Sequence, residues 1–306
     1  MYTYKGDNMK EEILEFYKRV SIYTNYSFYK EYFNTLPDDL EKLTRLINDN
    51  YIHRVVLFRS CLKDDKIAHE YPWYKYRCDD DILLTVPAMV SELFRLDSRG
   101  LTHFRKNEDK IIVTCRYASI LLASILKAKG YSVRVRSGFA PYVNSDKYPD
   151  HWICQVWNSL ENRWVNVDSD VINVDIKGYK NTDVKNEYFY FAAKAWLDVR
   201  QGKINVDKFL HGSCIKGLPM LARTLFFDFH ALMNDEVSYL FFPVFIDTDK
   251  EFYTLSTDDL KQLDDLATLM LDPDKNFDEL RYLFENDKRF RTLNTPLLSD
   301  RDHLEL

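Results

Sequence analysis

Apolar positions in this chain repeat with two different periods, and the change between them sets off its middle part. Across residues 10–60 apolar residues recur three and four apart, which predicts helices. Residues 11–20 make a short amphipathic stretch. Leu40, Leu43, Leu46 and Ile47 form a stripe behind Pro37-Asp38-Asp39, a proline and two acids at a helix start. Residues 61–81 lose the period. The run YPWYKYRCDDD there places four aromatics ahead of three acids and reads as a loop or irregular strand over a core edge, or as the aromatic flank of a groove. Residues 82–96 return to helical spacing, with Pro87 in the first turns and Ser98-Arg99-Gly100 as the stop.

The best-punctuated helix comes next. Thr114 stands as its N-cap, residues 115–129 carry Ala118, Leu121, Leu122, Ile125 and Leu126 on a buried face, and Gly130 follows as the C′ residue. The period then drops to two. Tyr131, Val133 and Val135 alternate with Ser132, Arg134 and Arg136, and the two arginines read as a solvated or ion-paired strand face. After a loop over 140–150, HWICQVW and RWVNVD alternate on either side of a turn, so 151–157 and 163–168 form a hairpin. Helical spacing resumes over 186–200, 217–234, 257–271 and 277–286. Ser256-Thr257-Asp258-Asp259 is a helix-start signature, and FFPVFI over 241–246 reads as an inserted buried strand.

These elements predict an α+β fold. A central antiparallel sheet packs on the helix that starts at Cys115, between a helical N-terminal segment and a mostly helical C-terminal part. The expected division is an N-terminal segment over 1–80, a core over 81–175, and a C-terminal part over 176–306 that serves as lid or recognition region.

Composition narrows the class. A net charge of −6 without a long basic block gives no support for nucleic-acid or anionic-membrane binding. No apolar run approaches the roughly 20 residues of a membrane span. Acids occupy the N-terminus where a secretory signal would have its apolar core, so a cytoplasmic location is expected. The five cysteines, Cys61, Cys78, Cys115, Cys154 and Cys214, are scattered and form no CxxC pair, which argues against a disulfide framework.

Free thiols raise the question of nucleophilic chemistry. Cys115 sits at the first helical position, where unpaired N–H groups and the positive end of the dipole favour a thiolate, and Arg116 adds positive charge. His151 lies 36 residues further on and Asp168 a further 17. In the expected hairpin, facing residue numbers add to 319, which pairs His151 with Asp168 and Trp157 with Asn162. A carboxylate would then hold one imidazole nitrogen while the other faces the thiol. Several rivals stand beside this set. Asp170 shares the face of Asp168, whereas Asp150 and Cys154 point to the face opposite His151. His211 and Cys214 have a spacing that metals use, but no second ligand pair accompanies them. Trp152 and Trp157 wall the site or pack the sheet, with packing favoured for Trp157.

The run from about 110 to 170 resembles the transglutaminase-like superfamily, whose core is cysteine-protease-like. The residues carrying the resemblance are Cys115-Arg116 opening a helix, Ala118, a leucine-rich face and Gly130, then Arg134 and Gly138 in GYSVRVRSG. His151-Trp152 opening a strand and Trp164-Val165-x-Val167-Asp168 complete it. The chain departs from the pattern at Val113-Thr114, where a glycine is usual, at Ser132-Val133 in place of Pro-Ala, and at Ser169 in place of proline. The resemblance implies a papain-like, transglutaminase-like core with Cys115 as nucleophile, His151 as general base and acid, and Asp168 as orienter. It also implies an upstream residue that helps to hold an oxyanion, with Trp73, Tyr74 and Tyr76 at a plausible distance. The implied reaction is acyl transfer through a thioester on a peptide, protein or small amide substrate, to water or to an amine. No cofactor and no metal is implied. The alternative is a catalytically inactive binding or scaffold protein of the same type.

Overall fold

Short, locally punctuated elements open the chain in the computed structural model, which describes residues 10–72, 75, 79, 82–211, 216–243 and 255–293. Helices α1 (Glu11–Lys18), α2 (Lys30–Thr35) and α3 (Leu40–Asn48) occupy the predicted helical span. The carboxylate of Asp39 accepts the Lys42 N–H at 2.8 Å and so caps α3. The span is not wholly helical. A three-residue strand, β1 (Tyr51–His53), interrupts it before α4 (Arg54–Lys63), and the stretch read as a loop or irregular strand holds a further short helix, α5 (Lys66–Glu70), capped by the Asp65 carboxylate accepting the Ile67 N–H at 3.0 Å. Helix α6 (Val86–Leu96) starts with Pro87 in its first turn and the Thr85 side chain as cap. Strand β1 pairs in parallel with β2 (Ile111–Val113), and in that register His53 lies opposite Val113.

Helix α7 (Cys115–Ala128) is buried along all 14 of its residues. Gly130, at φ +90°, ends it with a Schellman pattern. The Tyr131 N–H reaches Leu126 O and the Gly130 N–H reaches Lys127 O, both at 3.0 Å. At the other end Thr114 precedes the helix but makes no side-chain cap, and its hydroxyl is buried without a hydrogen bond.

Helix α7 packs against an antiparallel sheet of β3 (Val133–Phe139), β4 (Tyr148–Asn158), β5 (Arg163–Val167) and β6 (Tyr190–Phe191), in the order β5-β4-β3-β6. A short β7 (Phe209–Leu210) runs parallel to the start of β4. Val133, Val135, Trp152 and Cys154 share the core formed with α7. The intervening Arg134 and Arg136 are buried at 3% exposure and ion-paired rather than solvated. Arg136 donates two bonds of 2.8 Å to Asp228. Arg134 donates to Gln155 at 2.8 Å and to Asp274 at 2.5 Å.

The hairpin register differs from the one expected. Trp157 faces Trp164 and Asn158 faces Arg163, a shift of two residues. The turn chemistry explains it. The Asn158 side chain accepts the N–H groups of Leu160 and Glu161, and Asn162 sits at φ +51°, so Asn162 closes the turn instead of pairing with Trp157. A two-residue shift leaves each side chain on its original face.

The C-terminal part is mostly helical. It comprises α8 (Ala192–Arg200), α9 (Gly217–Leu232), α10 (Thr257–Met270) and α11 (Phe277–Asn286). Helix α8 begins later than the predicted 186 because Tyr190 and Phe191 join the sheet edge as β6. Ser256 and Asp259 form a reciprocal capping box on α10. In the stretch read as an inserted strand, β8 (Phe242–Pro243) pairs with β9 (Thr292–Leu293), and residues 244–246 lie outside the described residues. Among the described residues no helix is long and apolar enough to cross a membrane. Of the cysteines within them, Cys61, Cys115 and Cys154 are free, and Cys78 and Cys214 lie outside.

Candidate active site

The end of β2 delivers Cys115 to the first position of α7, where the leading N–H groups of a helix have no intrahelical partner. Strand β4 carries His151, and Asp168 follows directly on the end of β5. The structure brings all three together. His151 Nε2 lies 2.8 Å from Asp168 Oδ2, and the His151 ring lies close enough to the Cys115 thiol to be the main charge acting on it.

Asp168 is fully buried, and each of its oxygens is held. Oδ2 also accepts from the Tyr142 hydroxyl at 2.6 Å, and Oδ1 accepts the N–H groups of Asp170 at 2.9 Å and Val171 at 3.0 Å. Four such acceptor bonds suit an ionised carboxylate. They also fix the imidazole. Nε2 carries the proton that Asp168 accepts, so Nδ1 is the nitrogen left for the thiol.

Electrostatics favours charge separation. Burial pushes the Cys115 thiol up, but the facing imidazoles of His151 and His53 outweigh it and leave the thiol below its ordinary range. Burial likewise opposes a charged His151, and Asp168 and Cys115 together raise that ring well above the usual histidine value. Asp168 is itself lowered: burial would raise it, and His151 with the Tyr142 hydroxyl overcomes that. All three shifts run in the direction that favours a thiolate–imidazolium pair backed by a carboxylate.

The rival residues separate cleanly. Asp170 is not the partner of His151 Nε2. Its Oδ2 lies 3.9 Å from His151 Nδ1, too long for a hydrogen bond, and its Oδ1 accepts the Tyr51 hydroxyl. Asp150 turns to the Tyr239 hydroxyl at 3.4 Å and to His211 Nε2 at 3.5 Å. Cys154 faces α7, where its Sγ meets Ser119 O at 3.1 Å, and burial pushes that thiol up, away from nucleophilic character. Trp157 packs edge-on against Trp164 at 5.3 Å. Trp152 is fully buried, and its ring meets that of Tyr239 edge-on at 6.0 Å. Trp73, Tyr74 and Tyr76 lie outside the described residues, as does Cys214 beside His211.

Two contacts of the thiol carried no sequence signal. Tyr239, on the segment after α9, places its hydroxyl 3.8 Å from Cys115 Sγ. Arg116 anchors that segment by donating to the carbonyls of Glu236 and Val237, each at 3.0 Å from its Nε. His53, at the end of β1, brings a ring nitrogen within 4.8 Å of the thiol sulfur. Its strand is three residues long, too short to show a period of two.

His53, Cys115 and Asp170 offer donor atoms within 4.8 Å of one another, a spacing that metals use. The hydrogen bonding does not suit a metal ligand. The Val55 N–H donates to His53 Nδ1 at 3.2 Å, so the ring carries its proton on Nε2, the nitrogen facing the cluster. A ligating nitrogen must be bare, with its partner nitrogen donating outward.

No protein-family model matches the chain, and no curated protein sequence matches it. Among solved structures it is similar to a provisionally assigned cysteine protease from Cytophaga hutchinsonii, at 14% identity and a TM-score of 0.32. That match covers 63% of this chain and 52% of the other. The geometry of residues 115, 151 and 168 therefore carries the functional argument.

Proposed function

We propose that the protein is a thiol-dependent acyl-transfer enzyme with a transglutaminase-like, papain-like core over 81–175. The observation that carries this reading is His151, clamped at Nε2 by a buried Asp168 beside a helix-initial Cys115, which leaves Nδ1 for the thiol. In the proposed reaction the Cys115 thiolate attacks an amide or ester carbonyl, and the His151 imidazolium then gives its proton to the leaving group. The resulting thioester passes its acyl group to water or to an amine. The Tyr239 segment would make residues 176–306 a wall of the site.

One observation favours the alternative, a catalytically inactive binding or scaffold protein: Cys115 is only 3% exposed, with Tyr239 beside it. The test is covalent trapping. Incubation with 4-nitrophenyl acetate followed by peptide mass analysis should find an acetyl group on Cys115, absent from Cys115→Ala. A protein that neither holds an acetyl group there nor releases 4-nitrophenolate faster than Cys115→Ala is the inactive form.

A further inference from the structure

Two histidines flank the thiol, and their hydrogen bonds give them opposite capacities. Asp168 holds the Nε2 proton of His151, which leaves Nδ1 bare. It can therefore accept the thiol proton. His53 cannot. Its Nδ1 accepts the Val55 N–H at 3.2 Å, which caps α4, so Nε2 already bears a hydrogen. Asp170 and the thiolate favour charging His53, yet the imidazolium form also keeps a hydrogen on Nε2. In either state that nitrogen is a donor.

Among the described residues nothing in the resting arrangement ties that donor elsewhere. The Asp170 carboxylate is 3.9 Å from His53 Nε2, beyond hydrogen-bond length, and its other oxygen takes the Tyr51 hydroxyl. The remaining neighbour is Cys115, whose sulfur lies within 4.8 Å of the ring. Position follows from topology: β1 and β2 pair in parallel with His53 opposite Val113, two residues before Cys115. The donor is thus fixed to the element that delivers the nucleophile, while the base arrives on the other sheet.

From this division we infer that His53 is a further catalytic residue, the side-chain donor of the oxyanion hole. The inference rests on the acyl-transfer reading. When the Cys115 thiolate attacks, the new C–S bond forms as the carbonyl π pair moves onto oxygen. His53 Nε2–H donates to that oxygen, beside the unpaired N–H groups at the start of α7. When the intermediate collapses the pair returns to re-form C=O, the bond to the leaving group breaks, and the leaving group takes the proton held by His151. His53 keeps its own proton throughout.

The test compares two reactions of Cys115, each on its pH plateau. Acetylation by 4-nitrophenyl acetate builds an oxyanion, whereas alkylation by iodoacetamide builds none. His53→Ala should slow acetylation by about 10²–10³-fold, the loss that follows removal of one oxyanion donor, and change alkylation by less than about tenfold. His53→Gln, which restores an N–H donor, should recover part of the acetylation rate. If alanine prevents folding, His53→Met keeps the bulk without the donor and carries the same comparison. Parallel losses in both reactions, or an unchanged acetylation rate, overturn the assignment. A wild-type protein that alkylates at Cys115 but does not acetylate refutes the acyl-transfer reading itself, and the role of His53 with it.

Discussion

Asp168 Oδ2 lies 2.8 Å from His151 Nε2, although the two residues are not cross-strand partners. In the observed register, Cys154 facing Val167 places residue 170 rather than 168 across from His151. The contact is diagonal, and such neighbours are about 7–8 Å apart at their backbones, within reach of long side chains. It holds because β5 ends at Val167 and the next residues turn their N–H groups back onto the Asp168 carboxylate.

Asp168 rather than Asp170 should therefore control the imidazole. Asp168→Asn is expected to lower Cys115 acetylation by about 10²–10⁴-fold, since the proton on Nε2 loses its acceptor. Asp170→Asn should cost less than about tenfold, because that carboxylate makes no hydrogen bond to the ring. Equal losses in the two variants would reassign the orienter.

The same pair sets a pH window for stability. Asp168 is lowered on folding, so its contribution is complete above about pH 4 and fades as pH falls through the folded value. His151 is raised on folding, so its contribution is complete below about pH 6.5 and fades as pH rises through the folded value. The gap in melting temperature between wild type and Asp168→Asn should be widest within that window and shrink on acidification, as followed by circular dichroism. A gap that stays constant down to pH 2 would contradict the pairing.

Beneath the site, Arg136 and Asp228 form a buried pair at 4% and 0% side-chain exposure. Arg136→Met strands the carboxylate and should cost about 3–5 kcal/mol in urea unfolding. Adding Asp228→Leu should recover most of that loss, less the Ser137 N–H that Asp228 accepts. A double variant as unstable as the single one would show that packing, not the stranded charge, sets the cost.

Gly138 faces His151 across β3 and β4. A Cβ there would stand 2.5 Å from Tyr190 O and 2.8 Å from the Phe189 ring. Gly138→Ala is expected to destabilise by about 1–3 kcal/mol through overpacking, measured by thermal unfolding. It should also slow Cys115 acetylation by moving the strand that carries His151. A neutral substitution would mean that the β6 edge gives way freely.

The sequence made the central helix, the alternating strands and the later helices legible because each carries its own period or cap over many residues. Gly130 and Ser256 announced boundaries that the structure keeps, while Thr114 made the right boundary without the expected side-chain bond. The hairpin register lies two residues from the one the hydrophobic pattern predicts because Asn158 and Asn162 fix the turn through side-chain and left-handed backbone geometry, which that pattern does not encode. His151 and Asp168 still meet because a shift of two preserves the face. His53, Tyr142 and Tyr239 were not legible. They arrive on a three-residue strand, a loop and a segment 124 residues beyond Cys115, and only tertiary packing brings them to the site.

The central claim is that His151 holds Cys115 as a thiolate, and the pH dependence of Cys115 alkylation tests it most directly. Peptide mass analysis separates Cys115 from the exposed Cys61. Wild-type Cys115 should reach its plateau rate with iodoacetamide below the pH expected of a free thiol, near 8.5. His151→Ala should move that inflection upward, slowing the reaction at pH 6 by about tenfold for each unit recovered. An inflection that stays in place when His151 is removed, or a Cys115 that labels no faster than the same thiol in the unfolded chain, would contradict the account.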